Sequence, residues 1–315
     1  MKKQIKKCPC CESKKIIMIY DNLHDKNHFV EGKFSLIKCD NCNLEFLSPW
    51  LNEKELAKYY PPEDYYSYKK KIKLAIIYHN LSAKYYSGKN FIVSFLFSPF
   101  KSLLYRYNID KNSRGKEIME IGCGDGLQLE IYKKYGLKTN GLEPYGPMLS
   151  EREKKLGIMR KTIKEANFHE DNFDYIILKE VLEHIPNQKE VLEKCYKWLK
   201  PGGKIFIIIP NRKSLWNKWF KENWYGYDIP RHLYNYDQKN ISFFLKKFGF
   251  RVKKVRVYDL PYMLDGSIQF YLYDRRGKKD KKIIFSNISK LFFTPISLLV
   301  TYMNQGSLME VECTK

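Results

Sequence analysis

Between Lys116 and Asn211 the chain alternates short, continuous apolar runs with stretches whose apolar residues recur at helical spacing. "EIMEI" (Glu117 to Ile121), "YIILK" (Tyr175 to Lys179) and "KIFIIIP" (Lys204 to Pro210) read as strands buried on both faces. "LQLEIYKKYG" places Leu127, Leu129, Ile131, Tyr132 and Tyr135 in a pattern that fits a helix closed by Gly136. "QKEVLEKCYKWLK" collects Val191, Leu192, Cys195, Trp198 and Leu199 on one helical face, and Pro201-Gly202-Gly203 reads as a turn. "ISFFLKKFG" is a further helix stopped by Gly249. The alternation predicts an α/β, doubly wound, mostly parallel sheet with ligands outside the carboxyl ends of its strands.

Upstream, "KKIIMIYD" and "FSLIKCD" read as short strands flanking two cysteine pairs, "CPCC" (Cys8 to Cys11) and "CDNC" (Cys39 to Cys42). Each C-x-x-C turn sets two thiolates on one side of a tight loop, and two such knuckles complete a tetrahedral zinc site. Cys8, Cys11, Cys39 and Cys42 are the expected ligands, with Cys10 to spare. Four thiolates leave no open position, so the expected role is structural. A redox pair is disfavoured, because neither pair sits in a βαβ unit.

Two stretches outside the core pattern are unusually apolar: residues 90–107, and 283–304 after the basic run "DRRGKKDKK". Two readings stand: helices of a lid packed over the site, or segments lying in a membrane interface with lysines against anionic headgroups. Neither is a comfortable span, and the N-terminus lacks the apolar core of an export signal, so a cytoplasmic protein is expected, either free or peripheral to the membrane's inner face. The net charge of +22 favours anionic contacts but sits in no low-complexity arm, so it does not by itself indicate nucleic acid.

Candidate chemistry centres on "EIGCGDG". Gly122, Gly124 and Gly126 are spaced G-x-G-x-G, whereas the pyrophosphate fingerprint G-x-G-x-x-G needs its third glycine one place later, where Leu127 stands. Glu120, at the end of the preceding strand, would repel a diphosphate and suits a cation. S-adenosylmethionine, a sulfonium with a free ammonium and no phosphate, is such a ligand. Downstream, "TNGLEP" ends a second strand at Glu143, an acid placed to accept hydrogen bonds from both ribose hydroxyls.

Taken together, "EIGCGDG", "GLEP", "NFDYIILKEVLEHIPN" and "LKPGGKIFIIIPN" resemble the class I S-adenosylmethionine-dependent methyltransferases from about Lys116 to Leu260, with "SLMEVECTK" similar to that family's closing strand. The resemblance implies a seven-stranded Rossmann-like sheet. It divides the chain into a zinc ribbon (1–50), a helical connector or lid (51–115), a cofactor-binding core (116–261), a helical insertion (262–306) and the last strand (307–315). It also implies that Lys179 and Glu180 line the methionine part of the cofactor. Ala166, in the loop after the third strand, would touch adenine, although "KTIKEANF" lacks the family's frequent aspartate. "WYGYDIPRHLY" (Trp224 to Tyr234) is similar to a segment of zinc-ribbon methyltransferases that decorate sugars, surface polysaccharides or lipid-linked glycans, while others resemble ubiquinone-pathway enzymes.

Methyl transfer is an in-line displacement that needs alignment, and a base only if the acceptor must lose a proton. His184 and His232 lie in loops at the right end of the sheet and titrate near neutrality, so either can serve. Tyr227, Tyr225 and Asp228 are further contributors. Arg231 is suited either to a substrate phosphate or carboxylate or to a salt bridge that pins its loop. The expected partner is a small-molecule or glycan-linked acceptor. The alternative, a zinc-ribbon nucleic-acid binder or RNA methyltransferase, would want a Pro-Pro-aromatic tetrad where "LKEVLEH" stands.

Overall fold

The computed structural model describes residues 5–60, 73–86, 113–276 and 287–315, with a few positions between 92 and 98. Most of the apolar segment 90–107, much of the tyrosine-rich turn at 58–68 and most of the basic run before residue 283 lie outside these.

A small antiparallel sheet opens the chain. Strands β1 (Ile16–Leu23), β2 (Phe34–Cys39) and β3 (Glu45–Ser48) pair in order, bringing the two cysteine knuckles to one end. Its fourth strand comes from far along the chain: β9 (Tyr234–Asn235) pairs with β3, matching Phe46 with Tyr234. The ribbon is therefore knitted to the segment that holds His232.

The larger sheet contains β4 (Glu117–Ile121), β5 (Lys138–Leu142), β6 (Ile158–Met159), β7 (Phe173–Lys179), β8 (Leu199–Pro210), β10 (Arg251–Tyr258) and β11 (Leu308–Thr314). Its order is β10-β11-β8-β7-β4-β5-β6, with only β11 antiparallel to its neighbours. This is the expected doubly wound, mostly parallel, seven-stranded Rossmann-like methyltransferase sheet. The chain leaves β4 toward β5 and later returns to its other side as β7, so the switch point, where such sheets bind ligands, lies between β4 and β7.

Strand alternation sorts the two faces. Ile118, Tyr175, Ile177, Phe206 and Ile208 pack with Ile131 and Tyr132 of α3 (Leu127–Lys134), and Ala83 of α2 (Lys73–Tyr86) joins them. Met119, Ile176, Leu178, Ile205 and Ile207 face the other way, onto Leu192, Cys195 and Trp198 of α5 (Gln188–Trp198) and Ile241 and Leu245 of α7 (Gln238–Lys246). The short helix α1 (Glu53–Ala57) starts with an Asn52–Glu55 capping box and leads from ribbon to core. Helices α4 (Glu151–Lys155) and α6 (Leu215–Phe220) are single short turns, each with a serine N-cap.

The turn expected at Pro201-Gly202-Gly203 lies inside β8: Phe173 pairs with Leu199 and Tyr175 with Lys204, so the longer strand carries three extra residues there, with Gly202 at φ 74°, before the ladder resumes. Beyond β10, α8 (Pro261–Arg276) and α9 (Asn287–Tyr302) pack on each other. Asp259 fastens them: its buried carboxylate accepts Trp216 Nε1 at 3.0 Å, Ser297 Oγ at 2.9 Å and the Ser307 N–H at 3.0 Å.

Candidate active site

At the carboxyl ends of β4, β5 and β7 lies a cavity of about 350 Å³. Glu120, Gly122 and Gly124 form one wall and Glu143 another; Lys179, Glu180 and His184 close the far end. Glu53, Leu56 and Tyr60, from α1 and the turn after it, complete the lining from the ribbon side.

The glycine loop is held from within. Leu142 O accepts Gly122 N–H at 2.7 Å and Cys123 N–H at 3.2 Å, while Glu143 accepts Gly124 N–H at 2.9 Å. Three successive amides are thus turned to protein oxygens, where a diphosphate-binding loop would turn them to phosphate. Two carboxylates, Glu120 and Glu143, are buried beside them. Gly122 has φ 73°, and a Cβ there would lie 2.3 Å from Val181 Cγ2, so its bareness admits the β7 loop. Gly126 does not line the cavity. At φ 75° it is the N-cap of α3, and a Cβ there would meet Ile158 Cδ1 at 2.5 Å.

Ala166 also lies off the cavity, buried in the core, with its carbonyl accepting from Lys194 Nζ at 3.2 Å. The loop after β6 presents Lys161, Thr162 and Ile163 instead.

The candidate catalytic residues separate into layers. His184 reaches the cavity: its Nδ1 lies 2.8 Å from Tyr60 Oη and 3.2 Å from the Arg231 carbonyl. Burial, helped by His232, pulls its pKa down to about 3, so it is neutral. His232 stands behind it, with ring centroids 4.5 Å apart, and donates from Nδ1 to the Gly226 carbonyl at 2.7 Å. Burial lowers its pKa too, against the pull of Asp228. Glu183, fully buried, has neither carboxylate oxygen hydrogen-bonded, and burial pushes its pKa well up.

Tyr227 points away from the cavity and donates to Glu45 of the ribbon at 2.9 Å. Tyr225 packs edge-on to Tyr262, whose hydroxyl lies 3.4 Å from Glu180; it stands one layer behind the lining. Arg231 is 3% exposed and fully engaged. Nε donates to both Asp228 oxygens at 3.0 and 2.9 Å, Nη2 to Asp25 at 2.8 Å, and Nη1 to Asp25 at 3.2 Å and the Tyr59 carbonyl at 3.1 Å. Of the two roles open to it in the sequence, this geometry is that of the clasp.

The roof residues Glu53, Leu56 and Tyr60 were not singled out in the sequence. The signal available was the capping box at Asn52, which marks a helix start before an apolar Leu56.

At the ribbon end, Cys8, Cys11, Cys39 and Cys42 bring their sulfurs within 4.8 Å of one another. Asn41 Nδ2 donates to Cys11 Sγ at 3.5 Å and the Cys10 N–H to Cys8 Sγ at 3.4 Å, as donors do around a thiolate. Cys10 lies outside the set of four.

Sheet order and site together define a class, the Rossmann-like methyltransferases. Residues 94–255, more than half of the chain, match the family described as methyltransferase domain, and the protein belongs to it. It is similar to the phosphoethanolamine N-methyltransferase of Plasmodium falciparum, 32% identical over 146 residues that cover 43% of this chain and 54% of that one. It is also similar to the ubiquinone biosynthesis O-methyltransferase of Photobacterium profundum, 32% identical over 32% of this chain and 46% of that one. The chain thus spans about half the length of the curated relatives it matches. A solved S-adenosylmethionine-dependent methyltransferase from Archaeoglobus fulgidus aligns with a TM-score of 0.44 at 21% identity, over 64% of this chain and 87% of that one.

Proposed function

We propose that this protein transfers a methyl group from S-adenosylmethionine to a small-molecule acceptor that includes glycan- or lipid-linked sugars among its candidates. The observation that carries the reading is the glycine loop: its amides are occupied and two buried carboxylates face the space a diphosphate would need. A sulfonium with ribose hydroxyls matches that lining. The names of the two relatives, an N- and an O-methyltransferase, support a small acceptor.

When bound, S-adenosylmethionine supplies an already activated methyl. Glu143, which keeps the Gly124 N–H, would hold the ribose, and Glu120, Lys179 and Glu180 would hold the amino-acid end. His184 is the imidazole lining the cavity, and with the Tyr60 hydroxyl it forms the polar pair that orients the acceptor. With burial holding its pKa at about 3 it is a weak base, so the expectation that it titrates near neutrality and takes the acceptor's proton is not kept. Alignment of this kind is worth about 7–11 kcal/mol of barrier. His232 supports His184 from behind. Cys8, Cys11, Cys39 and Cys42 hold a structural zinc that shapes the ribbon and takes no part in the transfer.

A methyl-transfer screen with labelled cofactor, fed phospho-base, quinone-precursor, nucleotide-sugar and lipid-linked-sugar acceptors plus RNA, tests the acceptor class; labelling of RNA alone overturns it. Calorimetric binding of nicotinamide dinucleotide with none of S-adenosylhomocysteine overturns the cofactor.

Peripheral membrane contact has one observation in its favour. On α9, Phe292, Ile296 and Leu299 are exposed at helical spacing. No helix among the described residues is long and apolar enough to cross a membrane. Failure to float with anionic vesicles at low salt removes this second reading.

A further inference from the structure

The ribbon and the core meet at a buried charge cluster beside the active site. Asp25, in the loop between β1 and β2, accepts the backbone N–H groups of Asn27, His28 and Val30 at 3.0, 3.1 and 3.3 Å, which folds that loop around its carboxylate. The same carboxylate receives both terminal nitrogens of Arg231. One of those nitrogens also donates to the carbonyl of Tyr59, and the next residue, Tyr60, touches His184. Arg231's own carbonyl lies 3.2 Å from the same His184 nitrogen. Three chain segments therefore converge on one guanidinium: the ribbon loop, the cavity roof and the loop carrying His232.

Backbone bonds run in parallel with the clasp. Leu233 accepts the Leu47 N–H of the ribbon at 3.0 Å and donates to the Glu183 carbonyl at 2.9 Å, so ribbon strand and catalytic turn flank one residue. Nothing in this arrangement points a ribbon side chain at the acceptor. Its effect passes through the positions of Tyr60 and of the Arg231 carbonyl, which meet at His184 Nδ1.

We infer that Asp25 and Arg231 are positioning residues: the ribbon, through their ion pair, holds Tyr60 over the cavity and against His184. The ribbon loop is then a working part of the active site, and the roof stays shut only while the clasp is made. The inference rests on the reading that the cavity holds an S-adenosyl compound, and the experiment separates the two.

The probe is S-adenosylhomocysteine, and the second readout is the ring ¹⁵N signal of His184, assigned by its loss in His184→Gln. Tyr60→Phe removes the contact directly and defines the signature. Asp25→Asn keeps one acceptor toward Arg231, and Arg231→Lys keeps the buried charge, so two mild variants probe the clasp from both sides. Both are expected to shift the His184 signal in the direction that Tyr60→Phe does. Both are also expected to release S-adenosylhomocysteine about three- to tenfold faster, as the loss of one hydrogen bond allows. Asp25→Asn combined with Tyr60→Phe adds little to either alone, because the two act on one contact. Folded clasp variants with a wild-type signal and off-rate overturn the inference, as does full additivity in the double variant. Wild type without measurable affinity for the probe overturns the cofactor reading instead, and the His184 signal alone then decides the clasp.

Discussion

Glu143 accepts the Gly124 N–H at 2.9 Å through one oxygen and the Tyr145 N–H at 3.2 Å through the other. One carboxylate thus sets the curve of the glycine loop and faces the cavity. Glu143→Ala removes charged hydrogen bonds worth about 1.5–3 kcal/mol, so S-adenosylhomocysteine affinity should fall about tenfold to a hundredfold. Glu143→Gln, which keeps an acceptor, should lose less. Calorimetry giving wild-type affinity for Glu143→Ala would remove the ribose assignment.

Gly122→Ala puts a methyl where φ is 73° and Val181 Cγ2 is 2.3 Å away. Strain and overlap together should cost about 2–4 kcal/mol in urea denaturation. Val181→Ala in the same chain relieves only the overlap and recovers part of the loss. Complete recovery would show that the backbone carries no strain.

The buried Glu183 gives stability a pH dependence of defined sign. Its folded pKa is raised above 4.5 by burial, with Glu180 and Asp228 adding to the shift. Its favourable balance is therefore present below about pH 4.5 and lost as pH rises from there toward the folded value. Glu183→Gln removes that loss. Its melting temperature should match wild type near pH 4 and exceed it increasingly toward pH 8; a gap that shrinks with rising pH contradicts the assignment.

Cys39→Ser takes one thiolate from the cluster of four. The purified protein should drop from about one equivalent of zinc to a small fraction of it. Amide exchange at Phe46 and Tyr234, paired across β3 and β9, should quicken, while Ile176 in the central sheet keeps its protection. A wild type that carries no zinc refutes the metal assignment outright.

How much of this was legible beforehand depended on whether the deciding contacts were local. "EIMEI" is β4 residue for residue, because a buried strand before a glycine turn is written in adjacent positions. The place of Glu143 in the cavity wall was legible for the same reason, because it follows directly on a strand. Tyr60 was not: its partner His184 is distant in sequence, and a tyrosine-rich turn reads equally well as packing. Arg231 showed a different kind of limit. A guanidinium suits a bound anion and a buried carboxylate alike, and only the arrival of Asp25 from the ribbon decided between them. Gly126 and Ala166 were assigned to the cofactor from motif position. The structure spends the one on a helix cap and the other on the core, neither of which a motif encodes.

The pairing of Phe46 with Tyr234 has a consequence for synthesis. During translation the cysteine knuckles emerge long before the strand that completes their sheet. A nascent ribbon, even one already loaded with metal, presents an open β edge until the core's later half has been made. Closing that edge is then a late event, and it waits on the segment that also carries Arg231 and His232.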